Sequence, residues 1–269
     1  MLMIMKILFN KYHANGNDFI LVMDKSFPEK LRNADVISRL CDRHTGIGAD
    51  GLFVISSSEE YNFFLDYYNA DGSWETLCAN GSRCAVHFMH NRVGLDGTNM
   101  VFGAGDGFHS AKILNNGNVL MSMGRPEYKS ASISLEGVDG FFIDTGARHF
   151  VCESNNLDDN YILTVGRKIR FASEFQPHGI NVNFYRFANN NNVEIKTYEK
   201  GVEQIVLSCA SGSAAVVFHL SQINALKSPT TTYSSGGKLI YVFDKGWESF
   251  SSEGAVEFLF NGEFDMGVF

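Results

Sequence analysis

The chain has 269 residues and a formal net charge of −8, with 45% apolar and 19% charged residues. That length fits one large domain or two of about 130 residues, and the apolar share supplies a substantial core and argues against intrinsic disorder. An excess of 30 acids over 22 bases disfavours a broadly basic binder of nucleic acid or membrane surfaces.

In chain order, the opening MLMIMKILFN has no basic leader and no cleavage site, so residues 3–12 read as a first strand and a soluble cytoplasmic protein is predicted. No apolar run approaches the ~20 residues of a transmembrane helix. A second strand at 19–24 is followed by a short helix at 27–31. A helix at 34–43 then carries Val36, Ile37, Leu40 and Cys41 on one face, with Asn33 placed to cap it. Residues 46–51 fit G-x-G-x-x-G, but a helix ends before them and a strand begins after them. A dinucleotide loop needs the reverse order, so this segment is read as a turn. Strands follow at 52–56 and 62–69, then a helix at 82–91. Further strands are predicted at 111–114, 119–123, 140–144 and 150–153, a helix at 161–171, and strands at 183–188 and 193–198. A helix at 212–227 and strands at 239–243 and 256–260 complete the list. Strands outnumber helices and do not alternate with them, which predicts an α+β fold and not a doubly wound sheet.

Five cysteines are widely spaced without a C-x-x-C pair, so neither a secreted disulfide framework nor a structural zinc site is expected. Cys41, Cys84 and Cys152 read as core thiols. Of the eight histidines, His87 and His90 alone stand three apart on a helix, and no third metal ligand accompanies them.

Cys78 and Cys209 are different. The chain reads Cys78-Ala79-Asn80-Gly81-Ser82 and, 131 residues later, Cys209-Ala210-Ser211-Gly212-Ser213. Each copy follows a polar, glycine-containing turn and opens an apolar helix, which points to two similar domains. A helix N-terminus carries unpaired N–H groups and partial positive charge. A cysteine there has its thiolate favoured, and a carboxylate can be held beside it. Two such helix starts brought to one cleft could bind one carboxylate with a sulfur on either side of the adjacent carbon. One thiolate would remove a proton while the opposite thiol delivered another, inverting the stereocentre. The two titrations would be coupled.

The chain resembles the diaminopimelate epimerases, cofactor-independent amino-acid epimerases. The resemblance runs through residues 11–19 (KYHANGNDF), 42–51 (DRHTGIGADG), 69–73 (NADGS), 78–84 (CANGSRC), 179–183 (GINVN), 198–201 (YEKG), 209–214 (CASGSA) and 254–263 (GAVEFLFNGE). It implies two pseudo-symmetric α+β domains, each a barrel-like, mostly antiparallel sheet around a central helix. Residues 1–124 with 257–269 would form the domain carrying Cys78, and residues 125–256 the one carrying Cys209. It implies Cys78 and Cys209 as the acid–base pair, with His149 and Glu199 positioning the amino group. Asn17, Asn69, Ala79, Asn80, Ala210 and Ser211 would contact the substrate and Asn181 would hold its distal end. No cofactor, metal, nucleic acid or membrane is implied. The substrate would be a small amino acid, LL-2,6-diaminopimelate going to the meso form, and a homodimer is the assembly to test.

The chain departs from that pattern at the distal end. The family commonly has Gly-Asn-Pro-His where this chain has Gly146-Ala147-Arg148-His149, and Glu-Arg-Gly where it has Glu199-Lys200-Gly201. A Glu-Thr pair ahead of the second cysteine is replaced by Ile205-Val206, and a glycine after each cysteine by Ala79 and Ala210. Lys200 keeps charge but lacks the guanidinium fork, which Arg148 could restore, so the two together are expected to bind a distal carboxylate. Three alternatives stand beside this reading. One is a racemase of another amino acid, such as histidine. Another is an isomerase of the same fold acting on a substrate that is not an amino acid. The third is a redox-sensing binding protein with a reversible Cys78–Cys209 disulfide.

Overall fold

A helix can be buried on every side only if it is nearly free of charge and a sheet wraps it. Two helices of this chain meet both conditions, Ala79–Phe88 and Ala210–Gln222, and almost every residue of each is buried. The computed structural model describes residues 6–265, which divide into two units: 6–121 with 254–265, and 122–253.

In the first unit β1 (Lys6–Ala14) and β2 (Asn17–Met23) form a hairpin whose turn residues Asn15 and Gly16 have φ of 54° and 82°. That left-handed pair suits an Asn-Gly turn. The chain crosses over through α1 (Ala34–Cys41), capped by Asn33, to β3 (Gly51–Ser56), which runs parallel to β2. Then come β4 (Phe63–Asn69), β5 (Trp74–Glu75), the buried α2 (Ala79–Phe88), β6 (Asn99–Ala104), β7 (Gly107–Ile113) and β8 (Val119–Ser122).

The second unit adds β9 (Glu127–Tyr128) and β10 (Ile133–Leu135), then β11 (Val138–Asp144), β12 (Arg148–Glu153) and α3 (Asp159–Arg170), capped by Asp158. It continues with β13 (Asn181–Asn189), β14 (Asn192–Glu199), β15 (Gln204–Val206), the buried α4 (Ala210–Gln222), β16 (Thr230–Ser234), β17 (Gly237–Phe243) and β18 (Phe250–Gly254). The last strand, β19 (Glu257–Asp265), pairs antiparallel with β1.

The two units repeat one topology. β1–β2 is antiparallel, β2–β3 parallel, β3–β4 and β4–β5 antiparallel, β4–β6 parallel and β6–β7 antiparallel. The pairs β11–β12, β12–β13, β13–β14, β14–β15, β14–β16 and β16–β17 follow the same directions. Register repeats too: Phe19 pairs with Gly51 and Gly51 with Asn69, while His149 pairs with Asn181. The fold is α+β, two pseudo-symmetric sheets each around a central helix.

The central strands β2, β3, β12 and the first half of β13 are buried on both faces, so they read as apolar runs more than as alternations. On one face of the first sheet Ile20, Val22, Leu52 and Val54 pack with Ile37 and Leu40 of α1. Phe150, Val182 and Phe184 pack with Ile162 and Ile169 of α3 in the same way. The opposite faces meet the central helices. There Gly81 is pressed against the Phe53 ring, where an added Cβ would lie 2.0 Å from a ring carbon.

The central helices begin earlier than their apolar patterns indicate, at Ala79 instead of 82 and at Ala210 instead of 212. Their first turns are built of small and polar residues that resemble loop. α4 stops at Gln222 instead of 227, because Asn224 takes a left-handed φ of 58°. The helix expected at 27–31 is instead two short turns, Asp24–Ser26 and Glu29–Leu31, separated by Pro28. Strands β6, β16 and β18 escaped the sequence reading because their segments, NMVFGA, TTTYS and FSSEG, are mixed or polar. Residues 3–5 of the expected first strand, and residues 1–5 and 266–269 of the expected first domain, lie outside the described residues.

The contact at Gly81 carries a prediction. Gly81→Ala forces the Phe53 ring or the helix to shift and should cost about 1–3 kcal/mol, read as a lower urea midpoint at unchanged slope.

Candidate active site

Each central helix opens on a cysteine. Cys78 and Cys209 occupy the N-cap positions with nearly equal backbone angles, φ −132°, ψ 110° and φ −130°, ψ 103°. Their carbonyls accept the first helical bonds, from Ser82 N at 2.8 Å and Ser213 N at 3.0 Å. Neither thiol caps its helix. Both side chains therefore remain at the positive end of a helix with sulfur available for chemistry. They are partly exposed, whereas Cys41, Cys84 and Cys152 are buried. Burial pushes the Cys41 thiol up to about 12 and raises Cys84 and Cys152 as well, which suits inert core thiols.

Around Cys78, Asn17 at the start of β2 presents Oδ1 at 4.0 Å from Sγ, and the same oxygen accepts from Asn80 Nδ2 at 3.1 Å. The orientation of the Asn17 amide is set by Asp50, whose Oδ2 accepts from Asn17 Nδ2 at 2.7 Å. Asp50 is held in turn by Arg43 Nη2 at 2.7 Å, and Arg43 also binds Asp18, which pairs with Lys11 at 2.7 Å. Burial alone would raise the Asp18 carboxyl, but its bonds to Arg43 and Lys11 prevail and bring it down to about 2. This ion cluster is the chemical content of DRHTGIGADG. Asp42 ties the turn by accepting from His44 N and Thr45 N, and the segment joins α1 to β3. Arg83, fully buried in α2, donates to Asn80 Oδ1. Asn69 stands at the end of β4, accepting from Tyr67 Oη at 2.7 Å and donating to Ser73 Oγ at 3.0 Å. Ala79 is buried at the first position of the helix.

Around Cys209 the partners are Ser211, His149 and Glu199. Ser211 Oγ lies 3.5 Å from Sγ, and His149 Nε2 lies 3.1 Å from Ser211 Oγ. His149 is fully buried, and burial followed by the charge of Lys200 lowers its pKa to about 3, so the imidazole is neutral. Burial pushes the Glu199 carboxyl up to about 7, against the hydrogen bond from Cys209 and the charge of Lys200. Glu199 Oε2 has no hydrogen-bond partner among the described residues. Burial and then the charge of Glu199 raise the Cys209 thiol well above its usual range, while Ser211 and the Gly212 N–H draw it down. Asn181 Oδ1 accepts from Lys200 N at 2.8 Å, and the Ala210 carbonyl accepts from Tyr241 Oη at 2.7 Å.

The structure thus gathers Asn17, Asn80 and Ala79 at Cys78 within the first unit, and His149, Glu199, Ser211 and Ala210 at Cys209 within the second. Asn181 and Lys200 adjoin the second group through the end of β14. Arg148 does not join it. Strand alternation turns Arg148 to the other face of β12 from His149, where its guanidinium lies 4.8 Å from the centre of the Phe142 ring. Three participants were not singled out from sequence: Asp50, Asn183 and Thr197. Asp50 was inside a recognised motif. Asn183 was inside one as well, closing GINVN, and is a buried polar residue two positions after Asn181 on the same face of β13.

Comparison with known proteins gives the family and the fold. The family profile described as diaminopimelate epimerase matches residues 9–129. A diaminopimelate epimerase of Aquifex aeolicus is 34% identical over 97% of this chain and 98% of its own length. One of Flavobacterium psychrophilum is 34% identical over 93% of this chain and 97% of its own. Among solved structures, a hydroxyproline epimerase of Agrobacterium vitis matches with a TM-score of 0.74 at 11% identity, over 97% of this chain and 93% of its own. A PhzF-family phenazine biosynthesis protein of Bacillus anthracis matches at 0.72 and 12% identity, over 96% and 99%. At such identities the structural matches speak for the fold. Full-length similarity to the curated relatives, on that fold and with a cysteine opening each central helix, makes this chain a member of the diaminopimelate epimerase family.

Proposed function

We propose that the chain inverts the α-carbon of LL-2,6-diaminopimelate to give the meso isomer, with Cys78 and Cys209 as the two acid–base groups. The observation that carries the reading is the repeated placement of a partly exposed, non-capping cysteine at the start of each buried helix. Two-base inversion requires one thiolate and one thiol on opposite faces of the same carbon. The thiolate accepts the α-proton, the thiol donates its own to the other face, and the two exchange states with each turnover. Helix N–H groups stabilise charge that develops on the substrate carboxylate during the carbanion stage. Glu199 supports ionisation of Cys209, because a buried carboxyl titrating near neutrality can take up the thiol proton, and its unpartnered Oε2 suits an incoming ammonium group. The two thiols supply both proton transfers, so the reaction as written uses no cofactor. Such a reaction belongs to bacterial lysine and cell-wall precursor synthesis and to the cytoplasm. No helix among the described residues is long and apolar enough to cross a membrane.

A second reading, racemisation of another amino acid, is favoured by the diversion of Arg148 onto Phe142, which leaves Lys200 as the cation beside His149. Incubating the reduced protein in D₂O with a panel of amino acids separates the readings. Label at the α-carbon of diaminopimelate alone is expected, label in a monoamino acid instead would establish the second, and label in none would dismiss both. Cys78→Ala and Cys209→Ala should each lower net inversion by about 10³-fold or more, the scale of losing a general acid or base.

For the distal carboxylate, the expected outcome is that Lys200→Ala raises KM about tenfold, the worth of one charge-assisted contact. Arg148→Ala should leave KM unchanged. An equal rise in both would restore Arg148 to the substrate.

Glu199 sets a pH dependence. Its carboxyl is neutral below about 7 and ionised above, so the form able to accept a proton from Cys209 is lost as pH falls through that value. The rate should therefore decline on the acid side with a midpoint near pH 7. Glu199→Gln should remove that limb and slow turnover about 10²-fold or more. A profile with the same limb in the variant would take Glu199 out of the mechanism.

A further inference from the structure

The repeat supplies an internal control for the second unit. In the first sheet Phe19, Phe53 and Tyr67 form an aromatic triad under α2, with ring centroids 5.4, 6.2 and 4.7 Å apart. Phe53 pairs with Tyr67 across β3 and β4 and lies against Gly81. In the second sheet the corresponding places hold His149, Asn183 and Thr197. Asn183 pairs with Thr197 across β13 and β14, and its Oδ1 would lie 2.0 Å from a Cβ at Gly212. The same topology therefore accepts an aromatic triad under its helix. Burying a polar one requires every donor and acceptor to be matched, and here the matching leads to Cys209.

We propose that Asn183 is a positioning residue for proton transfer at Cys209: its amide holds His149 as the neutral Nε2–H tautomer, which leaves the hydroxyl proton of Ser211 to be donated to Cys209 Sγ. The inference rests on the two-base reading given above.

The hydrogen-bond donors from Asn183 to Cys209 all point one way. Asn183 Nδ2 lies 3.3 Å from the Phe150 carbonyl oxygen, which can only accept, so the nitrogen end of the amide faces that way. The same Nδ2 lies 3.1 Å from His149 Nδ1, which must then be the acceptor. With the amide so turned, Oδ1 accepts from the Thr197 hydroxyl at 2.9 Å. With Nδ1 unprotonated, a neutral imidazole carries its proton on Nε2 and donates it to Ser211 Oγ at 3.1 Å. Ser211, having accepted, donates onward to Sγ at 3.5 Å. A sulfur that receives a hydrogen bond is favoured as thiolate. Glu199 and Lys200 are the other charged groups at this sulfur and imidazole.

The test reads the tautomer and the thiol directly. In the native protein labelled with ¹⁵N-histidine, and with His149 assigned by its loss in His149→Gln, Nδ1 should resonate as the unprotonated nitrogen and Nε2 as the protonated one. The opposite assignment overturns the proposal. Asn183→Leu removes the donor to Nδ1 and frees the Phe150 carbonyl to accept from it. Phe53 at the equivalent place of the first unit indicates that an apolar residue is tolerated there. In this variant a Nδ1–H tautomer should appear, and the pH midpoint for iodoacetamide labelling of Cys209, followed by peptide mass, should rise by about one unit, the worth of one hydrogen bond to a charged sulfur. The kcat should fall about tenfold with KM within about twofold. In a Ser211→Ala background the Asn183→Leu change should move the midpoint no further. A midpoint that stays in place when the tautomer changes, or a full additional rise in the Ser211→Ala background, overturns the proposal. If Asn183→Leu does not fold, the native spectrum decides. Tautomer and labelling need no turnover, so they give their answer even if no amino acid exchanges its α-hydrogen.

Discussion

The close approach of each central helix to its sheet is the constraint on which the site depends. Gly81 and Gly212 stand three residues after Cys78 and Cys209, and at both an added Cβ would collide with a side chain of the sheet's inner face at 2.0 Å. With no side chain in the way, the first turn of the helix can seat fully against the sheet. The cysteine then falls at the N-cap, in extended backbone, with its carbonyl committed to the helix and its sulfur turned to side chains of its own unit, Asn17 at Cys78 and Ser211 at Cys209. A larger residue at either glycine would lift the helix start and carry the sulfur with it. Packing and chemistry are thus one requirement at these two positions.

Beneath the same two helix starts the units are built from different materials. The first surrounds its cysteine with amides, and a nearby ion cluster of Lys11, Asp18, Arg43 and Asp50 fixes how the nearest amide is turned. An amide oxygen aimed at a sulfur favours the protonated thiol. The second surrounds its cysteine with a hydroxyl, a buried neutral imidazole and a carboxyl raised to about neutrality. Ser211 and the Gly212 N–H draw the Cys209 thiol down, but burial and the charge of Glu199 prevail and hold it well above its usual range. The two helix starts share their cysteine, alanine, glycine and serine and differ in the side chains that surround the sulfur.

A good part of this was legible along the chain. The repeated Cys-Ala-x-Gly-Ser segments, the small residues that follow and the apolar helices they open are local features, and so are the caps at Asn33 and Asp158. The family pattern likewise lies in short ordered motifs. The strands β6, β16 and β18 were not legible, because a mixed or polar segment becomes a strand only when neighbours supply its hydrogen bonds: β6 sits between the next strand and the distant β4, and β16 between the next strand and the distant β14.

The sequence by itself determined the family, the α+β class and the cysteine that opens each of two apolar helices, because each is carried by contiguous residues whose local physics suffices. Only the tertiary structure decided that Arg148 leaves the site for the Phe142 ring, that Asp50 turns Asn17, and that Asn183 and Thr197 stand beneath His149. The reason is the period of the strand together with its pairing. Adjacent residues point to opposite faces, and residues from three strands meet on one face only after register is set.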